Sequence, residues 1–473
     1  MRERVTFVHG RDVQIDPSAL RLRPTGLTGP LADVVRQDRL SLTLEELPSG
    51  LARFLRAARA VHLRWTSAAE GDALEPFCSR LPPGLWVSLE PLTGEWRRLG
   101  EELCGWLQAF GPVDCMDPEA FTVADTGGRL SLSFYQMIGN LVPLSSWGER
   151  EFCPESDSVC HARLRNLDAV SLDISFDSAD HLLRVAASGR LKAQELTVAG
   201  SENRRTEVGI LTKDEPPNIG PFDMGLGGFL TVLGEHKEPS PTLFAFSSRH
   251  RLSGASFSSE FLSPTGLHPT LQLNLSTDTA EAEARADVEC KPYAYLTLPK
   301  AVFADRYQLQ DGLLLASKNL SALRHSTLPV DLEAPAYATG TWGSSILLEL
   351  APPADRTGKS WTAQVPLHAR YLKPTGTGYA DVEVAYPAVF WACTPSPSSQ
   401  DTLPDFANNP FDRLHLGYDS LFELDRTTFW HLSPVPTPET GRLVNPLTIP
   451  TLKGGGEEWI RLGTTAVVGL GFA

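Results

Sequence analysis

Several short catalytic motifs are missing from this 473-residue sequence. No two aspartates stand one residue apart, so the pair that holds a divalent cation against a diphosphate leaving group in many sugar-nucleotide glycosyltransferases is absent. The Gly-x-Ser-x-Gly elbow, the His-Glu-x-x-His zinc motif and the Gly-x-x-x-x-Gly-Lys phosphate loop are absent as well. The sequence therefore favours a non-catalytic protein. A glycosidase, which needs only two separated carboxylates among the 57 acidic residues, stays open.

Basic clusters and metal-type cysteine spacings are also missing. The formal net charge is -15 and no run is rich in lysine or arginine, which argues against nucleic-acid binding through phosphate neutralisation. The seven cysteines include no Cys-x-x-Cys pair. We therefore expect no metal site and no cofactor. An odd number of cysteines leaves at least one thiol unpaired, so the redox compartment stays open.

The two ends of the chain carry different signals about location. Residues 1–10 have neither the apolar core nor the small-residue cleavage site of a secretion signal. Residues 462–473 form an uncharged apolar run that is shorter than the about 20 residues of a membrane-spanning helix. This run is either a hydrophobic last strand or tail, or the first half of a transmembrane helix.

Hydrophobic periodicity predicts two helices, both in the first third of the chain. Apolar residues recur at helical spacing over 94–110 and over 49–61. Strand-like stretches at 5–8 and 130–134 flank them. Residues 1–165 are therefore predicted to form an α+β region.

After about residue 168 the hydrophobic period changes to two, which predicts strands with one buried face. The alternating stretches are 172–176, 271–275, 294–298, 346–350 and 382–384. Several such strands, separated by turns rich in glycine and proline, predict a mainly β protein whose C-terminal domain is an antiparallel β-sandwich. Residues 364–372 would form an edge strand, because Pro366 cannot donate to a ladder.

These patterns divide the chain into four predicted regions. Polar and turn residues dominate 201–241, which predicts a surface excursion, and five prolines between 434 and 450 indicate an extended stalk. The regions are the α+β region at 1–165, a β-rich middle region at 166–258 with the excursion at 201–241, a β-sandwich domain at 259–433, and a Pro-rich stalk with a truncated transmembrane segment at 434–473.

Three polar residues are candidates for a functional surface. His368 and Arg370 are predicted on the solvent-facing side of the edge strand, where they would bind an anion or a partner, or would simply be solvated. His268 is predicted in a turn, where a backbone-bonding role is favoured over a catalytic one. Three tryptophans would either stack on sugar rings, as in a lectin, or pack in the core, and core packing is favoured. They are Trp342, Trp391 and Trp430.

Two asparagines and two cysteines are candidates for covalent modification. Glycosylation sequons begin at Asn274 and Asn319, and Asn274 lies on the solvent-facing phase of its strand. Cys290 opens one predicted strand and Cys393 closes another. If those strands run antiparallel, the two sulfurs lie close enough for a disulfide, and the alternative is a pair of buried free thiols.

Several segments of the last 200 or so residues follow one another in an order typical of a known family. They are Gly266-Leu-His-Pro, Leu298-Pro-Lys-Ala-Val-Phe-Ala-Asp305, Thr341-Trp-Gly-Ser-Ser, Pro366-Leu-His-Ala-Arg-Tyr-Leu-Lys-Pro374, Tyr386-Pro-Ala-Val-Phe-Trp-Ala-Cys393, Asn409-Pro-Phe411, Leu416-Gly-Tyr-Asp-Ser-Leu-Phe422 and Thr427-Thr-Phe-Trp-His-Leu432. This set resembles the PIG-X family, and the last three segments are similar to its fungal, protease-B-nonderepressible type.

The resemblance implies a non-catalytic subunit that stabilises GPI mannosyltransferase I, the enzyme that adds the first mannose to GPI-anchor precursors. The implied partner is a PIG-M-type catalytic mannosyltransferase, which would carry the acidic motif that this chain lacks. The resemblance also implies a glycosylated, single-pass protein of the endoplasmic reticulum membrane, with most of the chain in the lumen and a C-terminal helix that continues past Ala473. A role in folding other proteins of that compartment is implied as well. The alternatives are a lumenal lectin or glycosidase, and a cytosolic β-rich interaction protein.

Overall fold

The fold is taken from a computed structural model, in which strands outnumber helices throughout and confirm the mainly β prediction. The described residues are 1–10, 13–69, 75–77, 79–126, 128–153, 155, 158–165, 169–200, 204–214, 219–220, 222–276, 288–328, 330–353, 360–396, 404–455 and 457–471.

The first half of the chain builds one large sheet. Its strands within the described ranges are β1 (Arg2–His9), β2 (Arg21–Arg23), β3 (Gly26–Thr43), β4 (Ala58–Thr66), β5 (Gly84–Pro91), β6 (Thr122–Thr126), β7 (Arg129–Gln136), β8 (Ser171–Asp177), β9 (Leu182–Ala199), β10 (Arg205–Asp214), β11 (Asp223–Val232) and β12 (Ser240–Ser247). Their order is β12-β11-β10-β1-β3-β9-β8-β4-β5-β7-β6, with β2 paired to β3. Neighbours are antiparallel except β1 and β10, which run parallel.

Four helices accompany this sheet: α1 (Ser49–Ala57), α2 (Trp96–Leu107), α3 (Val142–Phe152) and α4 (Ser158–Arg165). The predicted helices correspond to α1 and α2, which bury their apolar faces against β4, β5 and β7. Helix α1 ends earlier than predicted. Ala58 is extended, and the residues after it pair with β5 and β8. These residues therefore belong to strand β4, although their apolar spacing continues the helical pattern.

The second half builds a smaller sheet. Its strands are β13 (His250–Phe261), β14 (Thr270–Ser276), β15 (Val288–Pro299), β17 (Leu320–Ser326), β18 (Gly343–Leu350), β19 (Ser360–Pro366), β22 (Ala388–Pro395) and β23 (Thr428–Pro434). Their order is β17-β18-β15-β22-β23-β13-β14-β19, and β13 pairs with β23 in parallel, so the sheet is mixed.

Two short ladders cover one face of the second sheet. Strand β16 (Val302–Phe303) pairs with β20 (His368–Ala369), and β21 (Tyr379–Ala385) pairs with β24 (Val444–Pro450). Apolar residues of both ladders share one buried core with the sheet. The sheet and the two ladders therefore form two layers around this core. The described C-terminal helices are α5 (Gly312–Ser317) and α6 (Glu457–Gly471). The division of this half as a β-sandwich domain stays a prediction.

Two segments differ from the regions predicted for them. The segment 201–241 contains β10 and β11, which lie inside the first sheet, so it is not a surface excursion throughout. The segment 434–450 is not an extended stalk, because it contains β24, whose Leu447 and Ile449 are buried in the second core. The first sheet also continues across the predicted boundary at 165, since β8 pairs with β4.

Residues 404–427 lie between the two sheets. On one side, Arg39 of β3 donates from Nη1 to the Pro410 carbonyl oxygen at 2.6 Å. On the other, Tyr418 is fully buried and its ring lies 4.5 Å from Phe390 of β22 and 5.5 Å from Tyr295 of β15. The segments similar to the fungal branch therefore join the two halves of the molecule.

Candidate functional site

Three segments that carry the family resemblance meet beside the edge strand β19. The predicted strand 364–372 is interrupted at Leu367, whose backbone N–H donates to the Pro269 carbonyl oxygen at 2.9 Å. The chain then enters β20, where His368 pairs with Phe303 of β16. The backbone N–H of Ala369 donates to the Leu267 carbonyl oxygen at 2.9 Å, which brings the turn at His268 alongside.

Two histidines form the centre of this site. His268 and His368 face each other through their Nδ1 atoms, 3.1 Å apart, and His368 Nε2 lies 3.0 Å from Gln308 Oε1. Because the Gln308 oxygen accepts, His368 donates from Nε2 and its Nδ1 accepts the proton of His268 Nδ1. Burial lowers the pKa of His368, and His268 lowers it further, against an opposing effect of Asp305. The lowered pKa favours the neutral form of His368, with its proton on Nε2.

Arg370 is a buried anchor of the site. Its side chain was predicted to face solvent, but the residue is only 6% exposed. The guanidinium lies 4.5 Å from the Phe303 ring centroid and donates from Nη1 to the Ala334 carbonyl oxygen at 2.7 Å. The same Phe303 ring stacks on His368, which is half-buried. The prediction failed because β20 leaves the sheet and pairs with β16, which turns Arg370 inward.

Exposed tyrosines border this centre. Tyr307 and Tyr337 are each 60% exposed and Tyr371 is 67% exposed. Tyr371 follows Arg370 directly, and its carbonyl oxygen accepts from the Ala336 N–H at 3.0 Å, which places Tyr337 nearby. We call the set of His268, Phe303, Tyr307, Tyr337, His368, Arg370 and Tyr371 the histidine–tyrosine surface. None of the three lies in a described strand: Tyr307 lies in a turn, Tyr337 in a 3-10 helix and Tyr371 in irregular backbone after β20, so alternation does not report their exposure.

The chemistry of the histidine–tyrosine surface suits contact with another molecule. Exposed tyrosine side chains on a rigid base are typical of the residues that dominate protein interfaces. The nearby carboxylate, Asp305, accepts from the Tyr307 backbone N–H at 2.8 Å and thus shapes the turn. Within the described ranges, no three His, Cys, Asp or Glu side chains are grouped as metal ligands.

The predicted glycosylation sites are Asn274, on β14, and Asn319, in the turn before β17. Asn274 Nδ2 donates to Ser258 Oγ at 3.2 Å and to Glu260 Oε1 at 3.1 Å, while Asn319 Nδ2 donates to the Thr362 carbonyl oxygen at 2.7 Å. Both asparagines are half-buried, and glycosylation at either one stays a prediction.

Six cysteines are paired in the structure. Cys290 and Cys393 lie opposite each other on β15 and β22 and are joined by a disulfide. Two further bridges join Cys104 to Cys115 and Cys153 to Cys160. The seventh cysteine, Cys78, lies outside the described residues.

The three candidate tryptophans are core residues. Trp342, Trp391 and Trp430 are 7%, 4% and 8% exposed. Trp342 also donates from Nε1 to the Ser133 carbonyl oxygen at 3.0 Å, so its polar group is satisfied inside the protein. The preference for core packing is therefore correct, and these rings do not form a sugar-stacking face.

One of the family-like segments has a backbone role. Gly343, which follows Trp342, has a φ of 147°, and a Cβ atom at this position would lie 2.0 Å from the Leu298 carbonyl oxygen. Only glycine fits this close approach between β18 and β15. The Trp-Gly part of the segment therefore serves packing.

The single-pass membrane location expected from the resemblance is contradicted by the structure. Helix α6 has 15 residues. Among the described helices, none combines the length and the apolar character that crossing a bilayer requires.

Comparison with known proteins identifies the family. The family described as PIG-X / PBN1 matches residues 264–473. The chain is 51% identical to Protein PBN1 of Gibberella zeae and 45% identical to Protein pbn1 of Neurospora crassa, in each case over 100% of this chain and 94% of the relative. A solved C-terminal domain of the Streptococcus pyogenes antigen I/II-family protein AspA aligns over 95% of this chain and 99% of that one at 8% identity, with a TM-score of 0.13 that carries no argument. The two fungal relatives span the whole sequence at high identity, and the chain belongs to the PIG-X / PBN1 family.

Proposed function

We propose that this protein is a non-catalytic subunit that stabilises the PIG-M-type mannosyltransferase that adds the first mannose to GPI-anchor precursors. Family membership supports a general accessory role in GPI-anchor biosynthesis. The single observation that supports the specific role, stabilising a mannosyltransferase, is the histidine–tyrosine surface. This surface is assembled mainly from segments that resemble the family.

The geometry of this surface supports binding to a folded partner. Its base is rigid, because the backbone of Phe303 pairs with β20 and its ring contacts both the Arg370 guanidinium and the His368 ring. A rigid base lowers the entropy lost on association. The exposed rings of Tyr307 and Tyr371 then provide apolar area with a polar tip, and each such anchor contributes about 2 kcal/mol or more when a partner buries it.

The division of labour follows from the sequence. This chain has no Asp-x-Asp pair, so the cation that assists departure of a phosphate leaving group has no such site here. The partner would supply the acidic motif, and this chain would hold the partner in its active conformation. Binding a folded partner stabilises it by mass action, which gives the physical basis of the proposed role.

Co-purification of the chain with the catalytic subunit tests the proposal. The tagged chain and a PIG-M-type subunit are co-expressed in cells that lack both, extracted in detergent and captured through the tag. Because two hot-spot rings are lost, the double variant Tyr307→Ala/Tyr371→Ala is expected to recover less than about a tenth of the partner. Tyr379→Ala is the matched control, since this tyrosine is also 60% exposed but lies on β21.

Thermal unfolding and a mannose-transfer assay complete the test. Thermal unfolding of the double variant should match the parent, because both rings are exposed in the free chain. Equal partner recovery from the double variant and the parent would remove the histidine–tyrosine surface from the proposal. Mannose transfer by the isolated chain, with no partner present, would overturn the non-catalytic role.

A further inference from the structure

An open groove of about 460 Å³ separates α2 from α3. Helix α2 contributes Gly105 and Trp106, and the chain just after it contributes Gln108. Helix α3 contributes Ser146, Trp147 and Arg150, which recur at the spacing of one helical face. The groove has the size of a small-molecule site, and it lies on the first sheet, apart from the histidine–tyrosine surface.

Two indole rings form the apolar part of the groove. Trp106 and Trp147 pack edge to face, with ring centroids 6.2 Å apart and an angle of 79°. Phe152 packs edge to face on Trp147 at 5.5 Å. Gly105 leaves the floor open, because a Cβ atom there would meet nothing within 4 Å. Both tryptophans are half-buried, so part of each ring remains accessible to a ligand.

Polar groups border the rings. The exposed guanidinium of Arg150 and the exposed hydroxyl of Ser146 are available as donors at the rim. Gln108 donates from Nε2 to the Val113 carbonyl oxygen at 3.0 Å, which orients its side chain at the end of the groove. A ligand for this site therefore needs an apolar face for the rings and hydroxyl groups for the rim.

Both walls of the groove are held in place before any ligand arrives. The Cys104–Cys115 disulfide ties the C-terminal half of α2 to the chain beyond it. On the other wall, the Cys153–Cys160 disulfide links the end of α3 to α4. Glu149 of α3 also accepts from Arg165 Nε at 3.0 Å. A preformed site loses little entropy on binding, which favours even a weakly apolar ligand.

We propose that this groove binds a pyranose ring of a glycan. The C–H face of the sugar lies on the indole rings, and its hydroxyl groups bond to Arg150, Ser146 and Gln108. The charges favour this neutral ligand over a phosphate, because Arg150 is the single cationic side chain among the described residues that line the groove. The site does not depend on the proposed partner function, because it is built from other residues, in the first half of the chain.

Glycan binding by the full-length chain tests this inference. The purified chain is applied to an array of oligosaccharides with different terminal pyranoses, and hits are measured by titration calorimetry. Trp147→Ala removes the ring contact and is expected to raise the dissociation constant about tenfold. Gly105→Leu should abolish binding because the leucine side chain fills the groove. The substitution should not unfold α2, because leucine has a higher helix propensity than glycine.

Matched controls lie on α6, far along the chain from the groove. Trp459→Ala removes an exposed tryptophan, and Gly463→Leu adds a side chain at a helical glycine whose Cβ position is also open. Both controls should bind glycans like the parent. The inference is supported if only the two groove variants lose binding. It is overturned if no array sugar binds, if Gly105→Leu binds normally, or if the groove instead captures a proline-rich peptide in a Trp147-dependent way.

Discussion

At the scale of single residues, histidines buried between the two sheets make the stability of the fold depend on pH. His62 of β4 stacks on His415, with ring centroids 3.9 Å apart. Neither ring nitrogen of His62 has a hydrogen-bond partner among the described residues. Burial, together with the nearby His415 and Arg64, lowers the pKa of His62 to about 2. Burial likewise lowers the pKa of His250 to about 3.

The sign of the pH effect follows from these pKa values. Free histidine titrates near pH 6.5, so between that value and the lowered folded values the unfolded chain binds more protons than the folded chain. The contribution of these residues to stability is therefore fully present above about pH 6.5. It is lost as the pH falls from there toward about 3.

Replacing His62 with phenylalanine is expected to flatten this dependence. The ring stack on His415 is retained, no hydrogen bond is lost, and one proton-binding group is removed. The free energy of unfolding at about pH 7.5 should be unchanged or higher, and its slope below about pH 6.5 should fall by up to roughly 1.4 kcal/mol per pH unit. Urea unfolding at a series of pH values measures this. His236→Gln, at an exposed position, should keep the parent slope; an unchanged slope in His62→Phe would contradict the assignment.

At the scale of elements, cross-links and ladders decide which parts of the chain are held together. The Cys290–Cys393 bridge connects the start of β15 to the end of β22 across a sequence separation of 103. The Cys153–Cys160 bridge closes a separation of only 7 next to α3. Loop-closure entropy in the unfolded chain grows with the logarithm of this separation, so the two bridges are expected to differ in their effect on stability.

Removing the long bridge should therefore destabilise the fold more than removing the short one. The variant Cys290→Ala/Cys393→Ala is expected to lose about 2–4 kcal/mol of unfolding free energy. It should lose roughly 2 kcal/mol more than the control Cys153→Ala/Cys160→Ala. Urea unfolding of both variants under non-reducing conditions measures the difference. Equal losses would show that unfolded-state entropy does not govern these bridges.

At the scale of the whole molecule, the two halves share parts of their cores. Trp342 precedes β18 in the second sheet, yet its ring lies in the core of the first half, at 5.9 Å from Trp86 and 5.6 Å from Tyr135. Its backbone N–H donates to the Ala120 carbonyl oxygen at 3.0 Å. An ion pair between Lys300 and Asp114 also crosses between the halves at 2.5 Å. The halves are therefore expected to unfold together.

Trp342→Ala tests this coupling. Loss of a buried tryptophan is expected to reduce the free energy of unfolding by about 3–5 kcal/mol. The increase in backbone amide exchange should appear in β5 and β7 of the first sheet as well as in β18. Hydrogen-exchange mass spectrometry measures each strand separately. Trp459→Ala is the control, since this residue is 76% exposed; a change confined to the second sheet would contradict the coupling.

Local patterns in the sequence predicted much of the fold. The helical stripe of α2 and the alternation in β14 appear as predicted, because a face buried along its whole length imposes its own period. Strands β15 and β18 also form where they were predicted, but both of their faces are buried over residues 294–298 and 346–350. Core packing of the three tryptophans was likewise predictable. The family resemblance was recognised from contiguous segments, which do not depend on what the chain folds against.

The sequence by itself determined the mainly β class, the family and most elements whose burial is one-sided. Tertiary structure alone decided the rest. The segment around β10 and β11 reads as a polar excursion, but it joins the first sheet through the parallel pairing of β10 with β1, some 200 residues away. Arg370, the exposed tyrosines and the groove at Trp106 and Trp147 depend in the same way on neighbours distant in sequence. Their exposure is a property of packing between elements, and no local period reports it.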